Sequence, residues 1–110
     1  MFDMMKMMGK VKEAQEKMKV AQESLSNITA DGESGAGLVK ARVNGKKEVI
    51  SLDIDASLLS KDDKEMVQDL SVAAINIAIL NVDVKAKEHL KSATEGILPN
   101  VPGMDLGNLF

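Results

Sequence analysis

Gly32-Glu33-Ser34-Gly35-Ala36-Gly37-Leu38-Val39-Lys40 decides the fold, because three glycines open into a polar/apolar alternation just where a long, charged, Met-rich helical pattern has ended. Helix gives way to sheet here. Such a glycine run could also cradle a phosphate, but a phosphate loop needs a Gly-Lys-Ser/Thr ending and a following helix, and a strand follows instead. The glycines suit a tight strand connection, in which positions with φ > 0 favour a residue without Cβ.

Upstream, the apolar residues Met4, Met7, Val11, Ala14, Met18, Ala21, Leu25 and Ile28 alternate spacings of three and four, a coiled-coil-like seam. A helix over residues 2–27 would be roughly 39 Å long, longer than a sheet of three short strands is wide, so part of it is expected to project. Ile28–Glu33, Leu38–Val43 and Glu48–Asp55 read as strands, with Asn44-Gly45 as the hairpin signal between the last two. Parity fixes the register. A loop of two or four residues puts Val39, Ala41, Val43, Ile50, Leu52 and Ile54 on the core face and sends Lys40, Arg42, Ser51 and Asp53 to the other.

Downstream, Ser60-Lys61-Asp62-Asp63 has the chemistry of a helix start, with Ser60 as N-cap and acids near the positive end of the helix dipole. A second long helix should run to about Lys91, with Met66, Leu70, Ala73, Ile77, Leu80 and Val84 as its core stripe. Val72, Ile75, Ile79 and Val82 are apolar on its other faces. One small sheet cannot cover all of these, so a second copy of the chain is expected against Ile75, Ile77, Ile79 and Leu80. The fold class is α+β in the order α-β-β-β-α, one domain over residues 1–95. A tail punctuated by Gly96, Pro99, Pro102, Gly103 and Gly107 follows over residues 96–110.

A chain of 110 residues with only two aromatics, Phe2 and Phe110, must build its core from aliphatic residues and methionine. The absence of cysteine removes thiolate chemistry and fits a reducing compartment, so a cytoplasmic location is expected. No secretory signal is seen at the N-terminus. The run from Val72 to Val84 is interrupted by Asn76, Asn81 and Asp83 and falls short of the ~20 residues that span a bilayer, so no membrane partner is expected. His89, the single histidine, sits on a Lys/Glu-rich helix end without a triad or ligand partner and reads as a surface residue. Asp53, Asp55, Asp62 and Asp63 could approach a hard cation, yet a solvated face and helix capping account for them. No nucleophile and base pair is visible, so neither an enzyme, a cofactor nor a small-molecule substrate is expected.

Net charge is −3, which disfavours a general polyanion binder, but the charge is segregated. Residues 1–27 carry five lysines against four acids, and Leu38–Lys47 carries three lysines and Arg42 against none. Lys12 and Lys19 each have a glutamate four residues on, and Glu13 precedes Lys17 by four, the pattern of a solvated helix. Lys6 and Lys10 are like charges four apart, partly offset by Asp3 and Glu13, and an anion would relieve their repulsion. Lys40 and Arg42 share the outer sheet face, and Lys85, Lys87 and Lys91 recur late in the second helix. With no aromatics interleaved, single-strand and base-stacking modes are disfavoured.

The glycine-rich stretch, Asn44-Gly45-Lys46 with Glu48-Val49, and Ile54-Asp55-Ala56-Ser57-Leu58-Leu59 occur in an order that resembles the YbaB/EbfC family of bacterial nucleoid-associated proteins. Asp62-Asp63-Lys64-Glu65-Met66, Asp69-Leu70, Ala73-Ala74, Asn76 and Pro102-Gly103-Met104 continue it, so the resemblance covers nearly the whole chain. It implies a tweezer-like homodimer that binds double-stranded DNA with its helical arms, alters the DNA's conformation and associates with the nucleoid. Carried over to this sequence, the contacts fall on Lys6, Lys10, Lys12, Lys17 and Lys19, then Lys85, Lys87 and Lys91, with Lys40 and Arg42 as the sheet alternative. Lys47 and the strongly apolar Val72–Val84 stretch depart from the family pattern. The competing reading is a protein-interaction or chaperone-like dimer that grips apolar segments with Met-rich arms.

Overall fold

The computed structural model describes residues 4–95. Helix α1 (Met4–Glu23) runs into a 3-10 turn at Ser24–Asn27, and three strands follow, β1 (Thr29–Ser34), β2 (Val39–Asn44) and β3 (Val49–Ile54). Short 3-10 turns at Ala56–Leu58 and Lys61–Asp63 lead into α2 (Lys64–Thr94). The expected order α-β-β-β-α is the one found. The expected helix start at Phe2 and the tail over 96–110 lie outside the described residues.

Two compact units divide the chain: residues 25–86, and α1 to Ser24 together with the chain from Lys87 onward. In the first, the strands form an antiparallel sheet in the order β1-β2-β3. Gly35, Ala36 and Gly37 all take positive φ in the β1–β2 turn, which explains the glycine-rich stretch. At the next turn the Asn44 carboxamide oxygen accepts hydrogen bonds from the backbone N–H groups of Lys46 and Glu48. The backbone N–H of Gly45 donates to the carbonyls of Leu25 and Ile28. A Cβ at Gly45 would stand 2.6 Å from the Leu25 carbonyl oxygen, so only glycine permits that approach.

Parity holds beyond this turn, with Val39 opposite Ile54, Ala41 opposite Leu52 and Arg42 opposite Ser51. A β-bulge then places Val43 opposite Val49, so Ile50 is the extra residue rather than a member of the regular core face. Burial corrects the expectation further. Val39, Ala41 and Val43 of β2 are buried, whereas Ile50 and Leu52 of β3 are exposed and Ile54 is half-buried. The reason is where α2 lies. It is tied to β1 by Asn81 Nδ2 donating to the Asp31 carbonyl, by Lys85 Nζ donating to the Thr29 carbonyl and by Ser34 Oγ donating to the Leu70 carbonyl, leaving β3 uncovered.

The stripe of α2 that meets the sheet also differs from the expected one. Ala74, Ala78 and Val82 are fully buried in one cluster with Ala30, Val39, Ala41, Val43 and Leu58. Met66, Ile77, Leu80 and Val84 of the expected stripe are 50, 40, 67 and 66% exposed. Gly32 supplies the cause, because a Cβ there would lie 2.3 Å from the Ala74 carbonyl oxygen and 2.4 Å from the Ala78 nitrogen. Helix backbone rests on strand backbone, and only small residues fit at that crossing. By length and composition α2 would suffice to cross a membrane, which the Val72–Val84 run alone did not suggest. Its apolarity is divided here between the buried alanine face and the exposed row. At its start Ser60 is the N-cap of the preceding 3-10 turn and donates its hydroxyl to the Asp63 carboxylate.

In the second unit Ala14 and Ala21 of α1 are buried, as are Leu90 and Thr94 of α2. Ser24 Oγ lies 2.9 Å from the Ala21 carbonyl oxygen and is hydrogen-bonded to His89 Nε2 at 2.8 Å. His89 is therefore half-buried and bonded rather than the surface residue expected.

Candidate nucleic-acid interface

Lys6, Lys10, Lys12, Lys17 and Lys19 are all exposed on α1, but helical geometry separates them into two rows. At about 100° per residue, Lys6, Lys10 and Lys17 fall within about 40° of one another, and Lys12 and Lys19 lie about 150° away. Glu13 shares the first row and pairs with Lys17 at 3.6 Å. Glu16 and Glu23 border the second. Met4–Lys12 contains three lysines and no acid, with Asp3 before it and Glu13 after it in the sequence.

Lys87 and Lys91 are exposed and four residues apart near the end of α2, one turn along the same face. Lys85, by contrast, is engaged with the Thr29 carbonyl of β1 and serves packing. The outer sheet face is not a bare cationic surface either. Pairing of β1 with β2 sets Asp31 opposite Arg42 and Glu33 opposite Lys40. Arg42 grips Asp31 with Nε at 2.8 Å and a second nitrogen at 3.3 Å, and Lys40 reaches Glu33 at 3.8 Å. Hydrogen bonding from Arg42 holds the Asp31 carboxyl below its ordinary value, and the same bond raises the guanidinium. Sequence reasoning saw no acid within β2 and overlooked the neighbouring strand. The signal was available in the alternation of Asp31 and Glu33 along β1.

Two of the acids considered for a cation serve local structure: Asp55 accepts from the Ser57 hydroxyl and then from its backbone N–H, both of which lower its pKa, and Asp63 accepts from Ser60. Among the described residues no group of three or more His, Asp or Glu side chains is placed to share a metal ion. The Met-rich start of α1 forms an apolar groove lined chiefly by Met4, Met7, Met8 and Val11, with Lys12 and Gln15 at its edge.

A lysine-rich first helix, a three-stranded sheet and a long second helix fit one family over nearly the whole chain: the profile of the YbaB/EbfC DNA-binding family matches residues 1–97. The chain belongs to the YbaB/EbfC family. A nucleoid-associated protein of Agrobacterium fabrum is 43% identical over 106 residues, covering 96% of this chain and 98% of its own. Another, of Francisella philomiragia, is 43% identical over 99% of this chain and 94% of its own. The crystal structure of an uncharacterized protein from Helicobacter pylori matches with a TM-score of 0.66 and 27% identity, over 80% of this chain and 92% of that one. Helix α1 carries five exposed lysines and three glutamates.

Proposed function

We propose that this YbaB/EbfC chain binds duplex DNA as a homodimer, through phosphate contacts from α1, and acts at the nucleoid to alter DNA conformation. The observation that carries this reading is the acid-free Met4–Lys12 segment with exposed Lys6 and Lys10. Charge favours this unit over the other: residues 25–86 hold seven cations and ten acids, whereas the remainder holds seven of each. Selectivity should be low. The chain's one arginine is paired with Asp31, and α1 has no Asn, Arg or aromatic side chain, which leaves Gln15 and Gln22 as its amide groups for reading base edges. Relatives that carry the nucleoid-associated name support the location.

The homodimer is supported by the exposed row Met66, Ile77, Leu80 and Val84, which repeats at helical spacing along α2. Of the four interface residues expected, Ile77 and Leu80 lie on this row. Ile75 and Ile79 pack partly against the chain's own core and are secondary contributors. Gel shifts over a salt series test the DNA reading, because each phosphate contact adds about 0.9 to the log–log salt slope. Binding that is flat with salt would instead favour the protein-interaction reading, for which the Met4, Met7, Met8 and Val11 groove is the supporting feature.

A further inference from the structure

The second charged row of α1 has a symmetry that DNA binding does not use. Lys12, Glu16, Lys19 and Glu23 follow one another at spacings of four, three and four, all exposed, along about 16 Å of one helical edge. Glu13 and Lys17 on the other row close an i,i+4 ion pair at 3.6 Å. Lys12, Glu16 and Lys19 are exposed, so their charges meet solvent. Two copies of this helix laid side by side in parallel register would set lysine against lysine and glutamate against glutamate. Laid antiparallel about a two-fold axis between Lys17 and Met18, they set Lys12 against Glu23 of the second copy and Glu16 against its Lys19. The remaining two contacts are the same pairs reversed, so all four are attractive. A two-fold axis requires this kind of self-complementarity.

We infer that the Lys12/Glu16/Lys19/Glu23 edge is an antiparallel self-association surface whose occupant is α1 of a second copy, linking one assembly to the next. The Lys6/Lys10/Lys17 row, about 150° around the helix, stays open to phosphates while this edge is occupied. Exposed pairs of this kind are individually weak and screened by salt, so the link forms at high local concentration, as along a coated duplex. The association itself does not depend on the DNA-binding reading. Only its effect on DNA does.

The test uses full-length protein without DNA, so failure of the DNA reading leaves it unaffected. Sedimentation velocity at low ionic strength should show wild-type protein forming larger species as concentration rises, reversed by added salt. Lys12→Glu with Lys19→Glu makes the edge wholly acidic, and Glu16→Lys with Glu23→Lys makes it wholly basic. Each variant alone should need roughly tenfold or more concentration to associate, since four attractions become four repulsions. An equimolar mixture of the two should associate again, a rescue that a folding defect would not give. Circular dichroism on each variant checks that helix content is retained. Association of either single variant at the wild-type concentration, or no recovery on mixing, overturns the proposal.

Discussion

Replacing Gly32 with alanine tests the helix-on-strand crossing that sets the fold. The added Cβ would sit 2.3 Å from the Ala74 carbonyl oxygen, whereas ordinary van der Waals contact begins at 3.4 Å. Both atoms met first belong to the α2 backbone, so no side chain can swing aside. The helix must lift by about an ångström, and a gap of that size forfeits a quarter to a half of the dispersion energy of the atoms that line it. Ala74, Ala78 and Val82 would all lose contact, and with the ordinary cost of overpacking the expected loss is about 3 kcal/mol. At roughly 4–8 °C per kcal/mol, the midpoint of thermal unfolding should fall by about 12–24 °C, followed by circular dichroism at one fixed protein concentration. Gly9→Ala is the opposing control, because nothing lies within 4 Å of its Cβ position and alanine raises helix propensity. That variant should be stabilised by about 0.5–1 kcal/mol. A Gly32→Ala midpoint within 2 °C or so of wild type, on the same scale, would show that α2 does not rest on β1 in this way.

Lys6→Glu with Lys10→Glu should weaken duplex binding by a similar factor on unrelated sequences and lower the salt slope by about 0.9 per lost contact. Lys40→Glu with Arg42→Glu should have a much smaller effect on binding, and the reverse ranking in gel shifts would move the interface to the sheet. Leu80→Asp should yield folded monomer by light scattering, since Leu80 is 67% exposed in the single chain. If that variant stays dimeric, the α2 row is not the interface. Asp31→Asn should remove a small, salt-screened stabilisation. Because Arg42 depresses the Asp31 pKa, that contribution is present at neutral pH down to the ordinary carboxylate range and is lost as pH falls through the lower folded value. Urea midpoints of wild type and variant should therefore converge in acid, and a gap that widens there would refute the assignment.

Much of the architecture was legible because it rests on local chemistry. The positive φ values at Gly35 and Gly37, the Asn44-Gly45 turn and the parity of β2 against β3 all follow from short-range rules. What failed depended on distance through space. Hydrophobicity ranks Ile77 and Leu80 above Ala74 and Ala78 as core residues, and only the approach at Gly32 reverses that order. Similarly, Lys40 and Arg42 are unaccompanied along their own strand and acquire acids only when β1 is laid beside it. Lys6 and Lys10 stood out earlier because their neighbours within the helix suffice to define them.

The bonds from Asn81 and Lys85 to the carbonyls of Asp31 and Thr29 give the sheet a polarity of growth. Strand β1 is an edge strand of the sheet, and helix side chains already occupy these two of its carbonyls. Strand addition is therefore confined to the opposite margin, β3, where the bulge at Ile50 further restricts the register a newcomer can take. A sheet that can extend from one side only is exhausted once two such margins meet. Two hydrogen bonds thus oppose strand addition at β1, so Asn81→Ala with Lys85→Ala should make the protein more prone to amyloid-like aggregation.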